Sequence, residues 1–585
     1  MTYLDRINSP QDVKKLSTKD LNSLAIEIRD AILYRDSKVG GHVGPNLGFV
    51  EATIALHYVF NSPQDKIVFD VSHQCYPHKM LTGRKNGFLN EADMKVISGY
   101  TNPKESEHDF FSIGHTSTSV SLACGLAKAR DLKGEKHNVI AVIGDGSLSG
   151  GEALEGLNNA AVLGSNIIIV VNDNEMSIAE NHGGLYTNLR QLRESNGNAE
   201  CNLFKALGFE YTYLEEGNDI ERLIEIFTKI KDTNKPILLH VHTNKGNGYR
   251  LASEDKEPWH WSVPFNIETG EKSIDFSKYE TYGSITTNFL CEKIKTDKEI
   301  VLINAGTPGL FALPLERRIA LGANYVDVGI AEEHAVAFSS ALAKGGCKPV
   351  FMVHAAFIQR TYDQLSHDLA LNENPAVILV FNNGISGADM THLGVFDIPL
   401  ISNIPNIIHL APTNKQEYLA MLNWGLEQKS HPVVIRVPSS VTSTSETVDT
   451  NYDKLNTSII VQKGNDVAIL ALGSFFGLGE KIVQKLETHD ITPTLINPRF
   501  ISGLDEKLLT DLANNHKIII TLEDGELDGG FGEKVARFYG PTNIKVLNFG
   551  AKKEFTDRNS IDELYQRYHL TPDLVVEDIL KIKGK

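Results

Sequence analysis

Two short strings in this sequence place hard oxygen ligands at a spacing that suits a metal ion. Gly144-Asp145-Gly146-Ser147 follows an apolar run at 139–143, and Asn172-Asp173-Asn174 follows another at 166–171. A helical pattern over 151–163 separates them. A strand–helix–strand unit with parallel strands delivers both carboxyl ends to one sheet edge, so Asp145 and Asn174 can converge there. Oxygens of this kind suit Mg²⁺, which takes near-octahedral coordination at about 2.0–2.1 Å, completed by phosphate oxygens, water or a backbone carbonyl. The glycines let backbone approach a phosphate, and a following helix aims its first N–H groups at it. Gly-Asp-Gly alone is equally a glycine turn with Asp145 as helix cap and Asn174 as a turn former. The pairing with Asn-Asp-Asn one βαβ unit later is what points to a metal and a diphosphate.

That paired pattern resembles the diphosphate motif of thiamine-diphosphate enzymes. Such chemistry needs a proton taken from the thiazolium ring, and a buried carboxylate bonded to the aminopyrimidine makes the ring's own amino group the base. Glu332 is the candidate. It follows an apolar run and opens a helix within Val328-Gly329-Ile330-Ala331-Glu332-Glu333-His334-Ala335-Val336. Without the metal motif upstream, a glutamate there reads as a dipole partner of the helix N-terminus. Glu333 beside it reads as a solvated surface charge.

The elements that must position these residues alternate short apolar runs with amphipathic stretches, the pattern of parallel sheets covered by helices. Further strands are expected at 325–328, 349–353 and 377–381, then at 466–471, 492–496, 517–522 and 544–547. Ser17, Thr18 and Asp20 cap an opening helix with Leu21, Leu24, Ala25, Ile28 and Ile32 on one face. Polar stretches at 268–283 and 439–451 read as joints. The chain has 585 residues, too many for one core. The reading is α/β, three consecutive doubly wound domains over 1–277, 278–450 and 451–585.

Composition narrows the function classes. Lys and Arg number 57 against 74 Asp and Glu, a formal net charge of −17, which argues against nucleic acid or an anionic membrane as partner. The start carries charge rather than an apolar signal core, and no apolar run approaches the ~20 residues that span a bilayer. Five scattered cysteines without a CxxC suit reduced thiols in a cytoplasm.

Longer strings carry a more specific resemblance. His42-Val43-Gly44-Pro45-Asn46-Leu47-Gly48, the run from Phe69 through His73, Tyr76 and Lys79 to Arg84, and Gly114-His115-Thr116-Ser117-Thr118-Ser119 are three of them. Asn174-Glu175-Met176-Ser177-Ile178, Lys245-Gly246-Asn247-Gly248-Tyr249 and the run from Phe357 through Arg360 to Gln364 are three more. Together they resemble the 1-deoxy-D-xylulose-5-phosphate synthases over nearly the whole chain. The resemblance implies three transketolase-type domains (diphosphate, pyrimidine and C-terminal), thiamine diphosphate and Mg²⁺ as cofactors, and a homodimer. It implies condensation of pyruvate with D-glyceraldehyde 3-phosphate, releasing CO₂. Asp145 and Asn174 would hold Mg²⁺ with the Met176 carbonyl. His73, Gly114, His115, Thr116, Gly146, Ser147, Asn174 and Tyr249 would line the coenzyme, Ile178 would prop its bent form, and Phe357 and Arg360 would surround its aminopyrimidine. Glu332 would be the activating acid. His42, His73, His392 and His260 would serve proton transfers and hydrogen bonds, with His354, Asp389 and Arg436 also toward substrate.

The chain departs from that family near the acceptor phosphate. Where the family has Asp-Arg-Ala-Gly it has Phe381-Asn382-Asn383-Gly384, so Asn382 stands at the arginine. His354 replaces a tyrosine, the segment 388–392 is one residue short, and Arg-Val-Pro-Ser-Ser at 436–440 lacks a second arginine. One lost buried arginine costs about 1.5–3 kcal/mol toward a phosphate, so a pyruvate carboligase with another aldehyde acceptor is the alternative. The stretch from 174 to 249 is about 30 residues short by the same comparison. In the last third, Glu523-Asp524-Gly525 and Gly529-Gly530-Phe531-Gly532 read as turn and helix-start residues without chemistry.

Overall fold

The structure is a computed structural model in which residues 2–584 are described. The chain forms two compact units. One runs to Tyr279 and takes in Gly329–Ala331, and the other holds Glu280–Val328 and the chain from Glu332 onward. The polar stretch at 268–283 contains the break between them, whereas 439–451 is irregular chain inside the second unit.

The first unit is built on a five-stranded sheet of β1 (Lys66–Phe69), β2 (Val139–Gly144), β3 (Ile167–Asp173), β4 (Glu210–Leu214) and β5 (Pro236–His242). Its order is β1-β2-β3-β5-β4, with every pair parallel. The β-branched runs are buried on both faces. Ala141, Ile143 and Ile169 join one core with Leu157, while Ile140, Val142 and Ile168 join another with Leu223 and Phe227. Strands apolar on both sides must be covered by helices on both sides, which is the doubly wound arrangement. Three helices matter for the site. Helix α1 (Thr18–Val39) starts at Ser17 with a capping box to Asp20. Helix α2 (Gly151–Ala160) follows β2, and α3 (Gly184–Glu194) follows β3.

The second unit holds two sheets. The six strands β6 (Ile300–Asn304), β7 (Tyr325–Asp327), β8 (Lys348–His354), β9 (Val377–Phe381), β10 (Ile408–Leu410) and β11 (Val433–Arg436) form a parallel sheet in the order β10-β11-β9-β8-β6-β7. Helix α4 (Glu332–Lys344) packs on it through Ala335 and Val336. The remaining strands are β12 (Ile459–Gln462), β13 (Asp466–Ala471), β14 (Thr494–Asn497), β15 (His516–Glu526) and β16 (Lys545–Ala551). They order as β12-β14-β13-β15-β16, antiparallel only at the β12 edge. Among the described residues no helix is long and apolar enough to cross a membrane.

Two local readings are corrected. A short 3₁₀ turn, Gly146–Ser149, separates β2 from α2, so Asp145 does not cap an α-helix. Glu523-Asp524-Gly525 continue β15, and the buried Glu523 carboxylate accepts the Phe531 and Gly532 N–H groups at 2.8 and 2.7 Å, closing the start of α5 (Phe531–Tyr539) from across the chain.

Candidate active site

Strand register brings the two oxygen-rich strings side by side. Gly144 of β2 pairs with Asn172 of β3, and the Asp145 N–H donates to the Asn172 carbonyl at 3.0 Å. The buried Asp145 carboxylate accepts a hydrogen bond from the Asn181 amide at 2.7 Å. Burial, then the nearby Asp173 charge, pushes its pKa up to about 8, since both disfavour the ionised form. Asn174 Oδ1 is buried with no hydrogen-bond partner among the described residues, an acceptor that natural proteins seldom leave unused. A Cβ at Gly146 would lie 2.6 Å from Ser177 Oγ, so only glycine lets these two loops meet. No three His, Cys, Asp or Glu side chains gather around one point among the described residues. A cation here would rest on Asp145, amide and carbonyl oxygens, and the oxygens of its ligand. Those donors fit Mg²⁺ held with a diphosphate.

The glycine-histidine loop is fastened to the same place. Ser117 Oγ donates to the Ser147 carbonyl at 2.8 Å, and the buried Asp70 carboxylate accepts the Ser117 and Ser119 N–H groups at 2.8 and 2.9 Å. The loop that carries Gly114, His115 and Thr116 is thus tied at Ser117 to the Ser147 carbonyl. Val71, Ser72, Ser117 and Glu175 all have φ between 56° and 76°. Left-handed backbone at four non-glycine positions around one site is strain that the surrounding bonds must hold.

Three histidines gather next to this loop. The His42 ring lies 5.2 Å from His73 and 5.8 Å from His260, and His73 stacks on His260 at 5.2 Å. The buried Lys245 ammonium donates to the Ser177 carbonyl at 2.6 Å and lies 3.1 Å from His260 Nδ1. It joins the histidines to the chain that carries Ile178. Burial lowers Lys245 to about 7, against the pull of Asp145. Burial and Lys245 hold His73 down at about 3 and His260 well below its usual value. These imidazoles are neutral donors and acceptors at working pH. The Asn46 amide donates to the His42 and His73 carbonyls, both at 2.7 Å, and its oxygen accepts the Tyr76 N–H. Tyr249, one of the expected coenzyme residues in this unit, turns into packing. Its ring meets Trp259 at 5.2 Å and its hydroxyl donates to the Ile267 carbonyl.

In the second unit Glu332 opens α4 and is 3% exposed. Burial raises its pKa to about 7, opposed by the Arg360 charge, and its Oε2 is buried without a hydrogen-bond partner among the described residues. Phe357 stacks on His354 at 5.4 Å and meets the His392 ring edge-on at 5.8 Å. Thr391 Oγ1 bridges His392 Nδ1 at 2.8 Å and Asp389 Oδ1 at 2.9 Å. Asn382, at φ 50°, reaches His354 with its amide at 3.1 Å. Burial lowers His354 to about 4, with His392 adding to it. The Asn382–His354 pair is thus uncharged.

The expectation for Arg436 needs correction. Its guanidinium is buried, with Nε donating to Asp397 at 2.7 Å, Nη2 to the same carboxylate and Nη1 to Asp524. All three nitrogens are bonded to carboxylates that tie β11 to the next sheet, so the buried guanidinium is first a structural ion pair, with one N–H left on each of Nη1 and Nη2. Sequence reading also missed Asn46 and Asp70. Their signal was a polar residue inside an apolar string, since a buried amide or carboxylate must find partners.

Residues 4–201 and 196–243 match the family model of 1-deoxy-D-xylulose-5-phosphate synthase, 281–443 the transketolase pyrimidine-binding domain, and 457–575 the transketolase C-terminal domain. The 1-deoxy-D-xylulose-5-phosphate synthase of Caldanaerobacter subterraneus is 38% identical over 622 aligned positions, covering 99% of each chain. Those of Alkaliphilus oremlandii and Carboxydothermus hydrogenoformans are also 38% identical, covering 99% and 100% of this chain and 99% of each of theirs. The alignment with the first has more positions than this chain has residues, so the chain carries deletions against it. Identity at this level over the full length, with three family models in order, makes the chain a member of the 1-deoxy-D-xylulose-5-phosphate synthase family, a transferase of transketolase type.

Proposed function

We propose that the chain condenses pyruvate with D-glyceraldehyde 3-phosphate, with thiamine diphosphate and Mg²⁺, to give 1-deoxy-D-xylulose 5-phosphate and CO₂. The observation that carries this is Glu332, a buried acid with an unsatisfied oxygen at the start of α4, in a chain whose β2 and β3 end in Asp145 and Asn174. Bound thiamine diphosphate would supply an acidic ring carbon that adds to a ketone and takes up the electrons left when CO₂ departs. The chain's own residues do the rest. Asp145, Asn174 and the Met176 carbonyl hold Mg²⁺, and Gly114, His115, Thr116, Gly146 and Ser147 bind the diphosphate. Glu332 holds a proton at Oε2 near neutral pH and would share it with the aminopyrimidine of a bound coenzyme, toward which Phe357 and Arg360 would also serve. His42 and the neutral His73 and His260 donate to and accept from the substrate oxygens, and His392, oriented by Thr391 and Asp389, serves the acceptor. The domain limits at 277/278 and 450/451, the homodimer and the cytoplasmic location are part of this same reading, supported by the family.

The uncharged Asn382–His354 pair and the commitment of Arg436 favour weaker recognition of the acceptor phosphate. A wholly different acceptor draws on these two features alone and finds no support in the names of the relatives. Mass analysis of products from pyruvate with competing phosphorylated and free aldehydes tests the assignment. A 1-deoxypentulose phosphate is the expected dominant product, and preference for every other aldehyde over glyceraldehyde 3-phosphate would overturn it.

A further inference from the structure

One stretch of chain touches both strand ends that carry the oxygen ligands. Asn181 donates its amide to Asp145 Oδ2 at 2.7 Å. The Tyr186 hydroxyl lies 3.2 Å from the Asp145 carbonyl oxygen and 3.3 Å from that of Gly146. Arg193, at the end of α3, donates through Nη1 to Asp173 Oδ2 at 2.5 Å and through Nη2 to Glu175 at 3.0 Å. Asp173 sits between Asn172 and Asn174, is fully buried, and is also bonded to His240 at 2.8 Å and to the Glu175 N–H at 3.0 Å. Leu189 and Leu192 anchor α3 in the core of the first unit.

We infer that residues 181–193 are the positioning element of the cation loop, with Asn181 fixing the rotation of the Asp145 carboxylate and Arg193 fixing the strand end that presents Asn174. The inference rests on the Mg²⁺ assignment above. A carboxylate that is free to rotate spends part of its time aimed away from a metal, and hydrogen bonds from neighbours that hold ligands in place are worth about 10–100-fold in metal affinity. Asn181 Oδ1 is itself buried with no partner among the described residues. The amide is therefore kept for its bond to Asp145 and not to satisfy a local turn.

Calorimetric titration of Mg²⁺ into the full chain in the presence of thiamine diphosphate tests this without reference to turnover. Asn181→Leu keeps the bulk and removes the donor, and Arg193→Met does the same for the guanidinium. Each is expected to raise the Mg²⁺ dissociation constant about 10–100-fold while the melting temperature of metal-free Asn181→Leu stays that of the parent. Arg193→Lys restores part of the loss, and should Arg193→Met fail to fold, Asn181→Leu and Arg193→Lys carry the test. A parent chain that binds Mg²⁺ and an Asn181→Leu variant that binds it equally well would overturn the inference. A parent chain that takes up no Mg²⁺ at all would overturn the cation assignment beneath it.

Discussion

The polar end of the first unit and the aromatic end of the second solve opposite problems. Around Asp145 and His73 the loops are held by Asp70, Asn46, Lys245 and Asn181, on backbone forced into left-handed turns, while Asn174 Oδ1 stays without a partner among the described residues. Around His354 the surroundings are rings and a neutral imidazole, Glu332 feels the Arg360 charge, and the charge that could meet a phosphate is absent at Asn382 and paired at Arg436. A site that must grip a metal and a diphosphate tolerates little variation, because each ligand depends on several partners. A site that must hold one acid protonated needs mostly the exclusion of water. Under the proposed function, a substitution on the acceptor side should therefore disturb fewer partners than one on the coenzyme side.

Four measurements would break or sharpen that contrast. The largest effect belongs to Glu332→Ala, expected to lower kcat about 10³-fold while calorimetry still detects coenzyme and Mg²⁺ binding. Full activity in that variant would remove Glu332 from its role. Next is Arg436→Met, which strands Asp397 and Asp524 without their cation and should cost about 3–5 kcal/mol in denaturant unfolding. If the cost is small and KM for the phosphorylated acceptor rises instead, Arg436 belongs to the substrate after all.

The third concerns pH. Glu332 is raised from an ordinary 4.5 to about 7 by burial. Between those values the native chain binds more protons than the unfolded one, so this contribution to stability is full below about 4.5 and is lost as pH rises through about 7. Glu332→Gln cannot ionise and should gain on the parent by about 3 kcal/mol at pH 8, with no gain at pH 4. Equal stability at both pH values would mean that the acid is not desolvated. The smallest effect is expected from Asn382→Arg. It should lower KM for a phosphorylated aldehyde about tenfold to a hundredfold, the equivalent of 1.5–3 kcal/mol, and leave a free aldehyde unchanged. No difference between the two substrates would place the phosphate elsewhere.

Much of the site was legible in the order of residues. The strings around Asp145, Asn174, His42 and His73 could be read because backbone turns and metal ligands impose residue type locally: glycine where Gly146 meets Ser177, oxygen donors where β2 and β3 end. The β-branched runs of β2, β3 and β9 announced buried parallel strands for the same reason. Short strands such as β1, β10 and β11, of three or four residues, gave no period to read. Tyr249 matched its string and still turned into the core beside Trp259.

The sequence alone determined which chemistry is available, because the identity of a ligand or an acid is a covalent property of the chain. Folding decided which of those groups is free to act. Arg436 and Arg360 are both arginines in an α/β framework, but Arg436 is closed off by two carboxylates, one 39 and one 88 residues distant, and Arg360 lends its charge to Glu332. No local pattern encodes that choice. Electrostatic partners are set by distance in space, and their strength by how completely the surrounding chain removes water.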